Sequence, residues 1–225
     1  MSEVVQEKVA RKVLNENDRI AAELRRRFQE RDILCLNFIS SPGAGKTMLL
    51  EKTLAGFTPV DRVAVLTGDI QTDNDARRLA GFGFPVQQIT TAGACHLDAR
   101  MIEKALAAWD LDQIQVLLIE NVGNLVCPTS YDLGEEAKIV ILSVAEGDDK
   151  PLKYPGIFHR AELMILSKTD LLPYVPFDKE AAIANARRVH PGIEVIELSS
   201  TTGEGLNRWR RWLAARRARR VSAAV

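Results

Sequence analysis

The chain has little cysteine and little histidine, three of each in 225 residues. It also has no long apolar run: the longest lies near "VLLI" (116–119), far short of the roughly 20 residues needed to cross a bilayer. The opening "MSEVVQEKVARKVLNENDR" is polar from its start and lacks the apolar centre of a secretory signal. A cytoplasmic protein is therefore expected, in which the few thiols stay reduced and serve chemistry or metal ligation rather than a disulfide. Net charge is absent as well, since 30 basic residues cancel 30 acidic ones. Neither nucleic acid nor a membrane surface is expected as a partner on that ground. The sequence shows no internal repeat and no low-complexity linker.

What is present is an alternation of patterns. Val5, Val9, Val13, Ile20, Leu24 and Phe28 recur at helical spacing among charges, predicting one or two amphipathic helices as an N-terminal extension over residues 1–30. Residues 31–225 then read as one domain. Short apolar runs at "ILCLNFI", "RVAVLTG", "IQVLLIEN", "AKIVILSV", "LMILSK" and "IEVIELSS" are separated mostly by helical stretches. Runs without polar alternation are strands buried on both faces, so the fold class is α/β, a mostly parallel sheet flanked by helices on both faces.

The first run leads into "SSPGAGKT" (40–47), a near match to the phosphate loop of P-loop NTPases in its proper strand-to-helix context. Pro42, Gly43, Ala44 and Gly45 let the backbone turn its N–H groups toward phosphates at a helix N-terminus. Lys46 is placed on the terminal phosphates of the nucleotide, and Thr47 on magnesium. Ser40 stands where the motif's first glycine belongs. "SKTD" (167–170) is similar to the guanine-reading N-K-x-D motif with Ser167 for Asn: Asp170 accepts two guanine hydrogen bonds that adenine cannot offer, and Lys168 lies along base and ribose. "SSTTGEG" (199–205), with Ser200, is similar to the loop that closes over the base. Taken singly, an ordinary strand-to-helix turn and a strand-end turn are the alternatives; three motifs in this order point to GTP and GDP.

Three carboxylates remain. Asp69 at the end of the second run is a candidate to orient the attacking water or to hold magnesium through water. Asp75 is either a magnesium ligand or part of a helix-capping arrangement with Thr72. Glu120, ending "VLLIE" with a glycine three residues on, suits a magnesium-linked switch segment, a buried or capping role being the alternative. Lys46, Asp69 and Glu120 are thus the catalytic candidates. Lys150 and Lys153 are either loop lysines in water or groups reaching a nucleotide across a dimer. Leu171, Leu172 and Val175 are either a dimer contact or a loop packed on the core. The ending "RWRRWLAARRARR" is basic, carries two tryptophans at i and i+3, Trp209 and Trp212, and reads as a terminal helix with one packed and one solvated face.

Cys95 and His96 are adjacent, and Cys127 lies seven residues beyond Glu120. Thiolate and imidazole suit nickel or zinc. Spacing alone favours Cys95 and Cys127 as small buried packing residues, because no C-x-x-C occurs and the two lie some thirty residues apart.

Taken together, "SSPGAGKT", "GDIQTDNDA", "AGACHLDA", "ENVGNLVCP" and "SKTDLLPY" resemble the hydrogenase maturation GTPases of the HypB type, over about residues 30–213. The resemblance implies a GTPase of the signal-recognition and nitrogenase-iron-protein class that forms a homodimer when GTP binds. It implies a nickel or zinc ion on Cys95, His96 and Cys127 near the dimer interface. It also implies as partners a nickel metallochaperone and the large subunit of [NiFe] hydrogenase. Cys35 falls in a strand and is expected in the core. An N-terminal cysteine cluster and a histidine-rich tract, carried by some relatives, are lacking here, so nickel storage is not expected. The urease-type nickel-delivery GTPase carries a Cys-Pro-His motif, whereas here Cys127-Pro128 is followed by Thr129. A guanine-nucleotide switch without a metal role is the alternative from another class.

Overall fold

The computed structural model describes residues 3–69, 74–91 and 93–223. Its first strand, β1 (Leu34–Ser40), is buried at all seven positions. The pleat sends Leu34, Leu36 and Phe38 into one core cluster and Cys35 into another on the opposite face, which is why an apolar run shows no alternation here. The other strands are β2 (Val63–Asp69), β3 (Val86–Thr90), β4 (Val116–Glu120), β5 (Ala137–Ser143), β6 (Leu163–Ser167) and β7 (Glu194–Glu197). All pairings are parallel, in the order β3-β2-β4-β1-β5-β6-β7. The chain is an α/β protein with helices on both faces of its sheet. Six of the strands coincide with the six apolar runs. β3, "VQQIT", has no such run, because an edge strand with one neighbour is only half covered and tolerates Gln87 and Gln88.

One face carries α2 (Lys46–Leu54), α3 (Asn74–Ala80) and α8 (Leu206–Ala223). Trp209 of α8 is fully buried, meets Phe38 edge-on at 5.8 Å, and donates from its indole N–H to the Thr53 hydroxyl at 2.8 Å. Further along, the packed side of α8 turns to arginines that are spent within the chain: Arg217 pairs with Asp61 at 3.0 Å, Arg216 with Glu162 and Arg220 with Glu136. The other face of the sheet is covered by α1 (Glu3–Glu30) and α4 (Ala99–Leu106), and further along by α6 (Pro155–Arg160) and α7 (Lys179–Val189). The half-buried Leu171, Leu172 and Val175 pack on this last cluster, while Tyr174 projects into solvent. The short helix α5 (Lys150–Lys153) completes the set.

The expected N-terminal extension is a single 28-residue helix. Val13 is half exposed, but Ile20, Ala21, Leu24 and Phe28 are built into the same cluster as β1 and α4. The side chains of Val5 and Val9 lie outside the described residues. The helix rests on Gly134 so closely that a Cβ there would sit 2.8 Å from Leu24 Cβ and 2.9 Å from the Ala21 carbonyl oxygen. Among the described residues no helix is long and apolar enough to cross a membrane.

Candidate nucleotide and metal site

The strands end together. Phe38 of β1 and Thr67 of β2 both stand in register with Glu120, the last residue of β4. Ligand sites of open α/β sheets lie beyond such carboxyl ends, and a cavity of about 720 Å³ opens there. Its floor is the 42–47 turn, in which Gly43 and Gly45 take φ of 72° and 99°, values that side chains with a Cβ rarely adopt. Asp69 and Glu120 at strand ends and Asp75 in the first turn of α3 form one wall; Lys168, Asp170 and Ser200 form the other. Every nucleotide- and magnesium-site candidate from the sequence therefore faces one cavity. Thr72, the capping partner considered for Asp75, lies outside the described residues; Asp75 itself pairs with Arg78 at 3.4 Å.

Charge is arranged unevenly in this cavity. Lys46 and Glu120 are both buried, and burial pulls each toward its neutral form: the Lys46 amine below its usual range, the Glu120 carboxyl up to about 7. Thr47 donates from its hydroxyl to Glu120 Oε1 at 2.7 Å, while Glu120 Oε2 is buried with no protein partner. Asp170 Oδ1 is likewise buried and unpartnered. Unsatisfied buried carboxylate oxygens are uncommon because they lose water without compensation. Their positions fit the expected ligands: Glu120 Oε2 beside Thr47 suits a divalent cation, and Asp170 suits a base with paired donors. Both departures from the motifs engage the chain locally. Ser40 Oγ donates to the Ser41 carbonyl at 2.6 Å and accepts from Lys46 Nζ at 2.9 Å. Ser167 Oγ donates to the Ala44 carbonyl at 2.7 Å, tying β6 to the phosphate loop.

Next to this cavity, the ligand atoms of Cys95, His96 and Cys127 all lie within 4.8 Å of one another. The two free thiols approach to 2.7 Å, and Cys95 Sγ is 3.7 Å from His96 Nδ1. The three side chains are half-buried, which permits exchange of an ion with the outside. His96 stacks on Tyr131 at 3.8 Å, and burial lowers its pKa, favouring the neutral imidazole that binds metals. The bond to the Cys127 thiol, together with burial, raises the Cys95 pKa. Cys35 is fully buried in β1 and takes no part.

Two loops must be held for this convergence. Cys95 and His96 precede α4, which Asp98 caps by accepting from Met101 N–H at 2.8 Å; Cys127 opens a 3-10 turn over 127–130. Asn17, buried in α1, spans both: it accepts from Ala99 N–H at 2.9 Å and donates to the Asp132 carbonyl at 2.9 Å. Sequence reading passed over Asn17 because a lone Asn in a charged helix carries no local signal. It also left open Lys150, which donates to Ser41 Oγ of the phosphate loop at 2.7 Å and pairs with Glu146, while Lys153 pairs with Asp149 near solvent. Leu97, fully buried, abuts Gly68, where an added Cβ would lie 2.8 Å from the leucine. Gly68→Ala is therefore expected to cost about 1–3 kcal/mol by overpacking. Since it pushes the cysteine loop outward, it should also weaken nickel binding; equal denaturant midpoints for variant and wild type would refute the contact.

Residues 35–197 match the family described as CobW/HypB/UreG, nucleotide-binding domain. The chain is 51% identical over 218 residues to the hydrogenase maturation factor HypB of Azotobacter vinelandii, covering 97% of this chain and 72% of that protein. It is 53% identical over 205 residues to HypB of Escherichia coli strain K12, covering 91% and 71%. The crystal structure of HypB from Helicobacter pylori in complex with nickel superposes with a TM-score of 0.85 at 41% identity, covering 91% of this chain and 96% of that one. With its site geometry and these relatives in agreement, the chain belongs to the CobW/HypB/UreG nucleotide-binding family, as a member of its hydrogenase maturation factor HypB group.

Proposed function

We propose that the chain is a GTP-hydrolysing metallochaperone that helps deliver nickel to [NiFe] hydrogenase during maturation. The observation that carries this reading is the single segment from Glu120 to Cys127, whose first residue hydrogen-bonds Thr47 in the nucleotide cavity and whose last joins the Cys95–His96 pair.

GTP is held by the 42–47 loop and Lys46, and its base by Lys168, Asp170 and Ser200. Thr47, Glu120 and Asp75 would hold magnesium, which would supply charge neutralisation at the phosphates. Asp69 orients the water that displaces GDP from the γ-phosphoryl group, so that GTP and water become GDP and phosphate. Loss of the γ-phosphate lets the 120–127 segment relax, and the thiolate shell changes with it. A coupling of about 1–3 kcal/mol alters metal affinity by roughly 5- to 150-fold, enough for hand-over to a partner. The same ligands accept zinc. Homodimerisation on GTP binding, exchange with a nickel metallochaperone and transfer to the hydrogenase large subunit belong to this reading.

A nickel titration of the reduced chain, followed by thiolate-to-metal absorption with GDP and with a non-hydrolysable GTP analogue, tests it. A stoichiometric band whose midpoint moves with the nucleotide is expected; the same midpoint in both would overturn GTP-gated delivery. Guanine selection has its own test. Asp170→Ala is expected to weaken GTP binding by about 100-fold, two charge-assisted bonds being lost, and to leave ATP binding unchanged.

A further inference from the structure

We propose that Asn121 is the positioning residue that carries nucleotide state to the metal loop; this inference rests on the GTP-gated reading above. Asn121 follows Glu120 directly, lines the nucleotide cavity and is buried. Its backbone N–H donates to the Phe38 carbonyl at 3.0 Å, continuing the β4–β1 ladder by one rung.

Both ends of its carboxamide are engaged. Oδ1 accepts the N–H of Leu97 at 3.1 Å and that of Val122 at 2.9 Å, and Nδ2 donates to Asn37 Oδ1 at 3.2 Å. Asn37 in turn donates to Glu135, which pairs with Lys138, so the amide is anchored beneath the sheet. Leu97 is the residue after His96. One residue thus lines the nucleotide cavity and, through its side chain, holds the metal loop.

Two features make this link stiff. The segment lies against the phosphate loop at both ends, through the Glu120–Thr47 bond and through Gly123, where a Cβ would meet Pro42 at 3.0 Å. The Leu97 end is closed to water, so its N–H cannot exchange Asn121 for solvent when the segment moves. A shift of residues 120–123 must therefore move Leu97, and His96 with it, or leave a buried donor and acceptor unpaired. The parallel tie is weaker: Asn124 Nδ2 reaches the Cys95 carbonyl at 3.4 Å.

Asn121→Ala in the full chain tests the proposal. The nickel dissociation constant is measured from the thiolate absorption band with GDP and with a non-hydrolysable GTP analogue, each with magnesium. The wild type is expected to show a ratio of about 5- to 150-fold between the two nucleotides. The variant should retain the band, since its three ligands are untouched, while the ratio falls to within about 2-fold of unity, below the lower end of that range. A wild-type ratio of one overturns the gated reading and this inference together. A wild-type ratio in the expected range that persists in Asn121→Ala overturns this inference alone. Should the variant not fold, amide hydrogen exchange at Leu97 in the wild type decides: protection must differ between the nucleotides, and equal protection overturns the proposal.

Discussion

Cys95→Ala is expected to abolish the nickel–thiolate absorption band and to weaken nickel binding by more than about 100-fold, because even residues that only orient a ligand are worth 10- to 100-fold. The geometry behind the expectation is the convergence of two thiols and one imidazole within 4.8 Å, a set too small to lose a member. Cys127→Ala should behave alike, since its thiol is the partner of Cys95. Cys35→Ala should leave the band unchanged, because that side chain packs on the sheet. A band that survives in Cys95→Ala would remove the metal role from this loop. The pH dependence has a definite sign: the Cys95 thiol is held above its ordinary pKa by its bond to Cys127 and by burial, so metal must displace a proton. Nickel affinity should rise with pH through neutrality, with proton release on binding. His96, whose pKa is lowered by burial, contributes little competition there.

Glu120→Gln is expected to slow GTP hydrolysis by about 10²- to 10³-fold, the loss seen when one preorganised group at a reacting centre is removed. The same substitution should stabilise the chain at alkaline pH when neither nucleotide nor magnesium is present. Burial holds the Glu120 carboxyl at about 7 against an ordinary 4.5, so between these values the folded chain binds more protons than the unfolded one. Stability contributed by the neutral carboxyl is fully present below about 4.5 and declines as pH rises through 7. Above that it is lost, a difference on the order of 3 kcal/mol. Denaturant midpoints in a chelator should lie close together for wild type and variant at pH 5 and separate widely at pH 8 in favour of the glutamine. A wild type as stable as the variant at pH 8 would show that Glu120 titrates normally.

The two motif departures show how far letters carry. Ser40 and Ser167 weaken the matches to the phosphate-loop and guanine motifs, yet both hydroxyls bond to the phosphate loop, the first accepting from Lys46 and the second donating to the Ala44 carbonyl. A substituted motif position shows only that the usual atom is missing; what takes its place depends on neighbours. β3 makes the same point for the fold, since Gln87 and Gln88 are tolerated by its place at the sheet edge.

What the sequence by itself determined was local: the phosphate loop between a strand and a helix, the guanine-type tetrad, the six strands buried on both faces, and the family resemblance. These are contiguous stretches in which backbone geometry follows from the residues themselves. The tertiary structure alone decided which distant groups meet. Cys127 reaches Cys95 across 32 positions, Asn121 reaches Leu97 across 24, and Asn17 reaches Ala99 and Asp132 across 82 and 115. Such meetings depend on the order and register of strands β2, β4 and β1 and on how α1 lies against Gly134. Sheet order and helix docking are set by the joint packing of many side chains, and no short stretch encodes them.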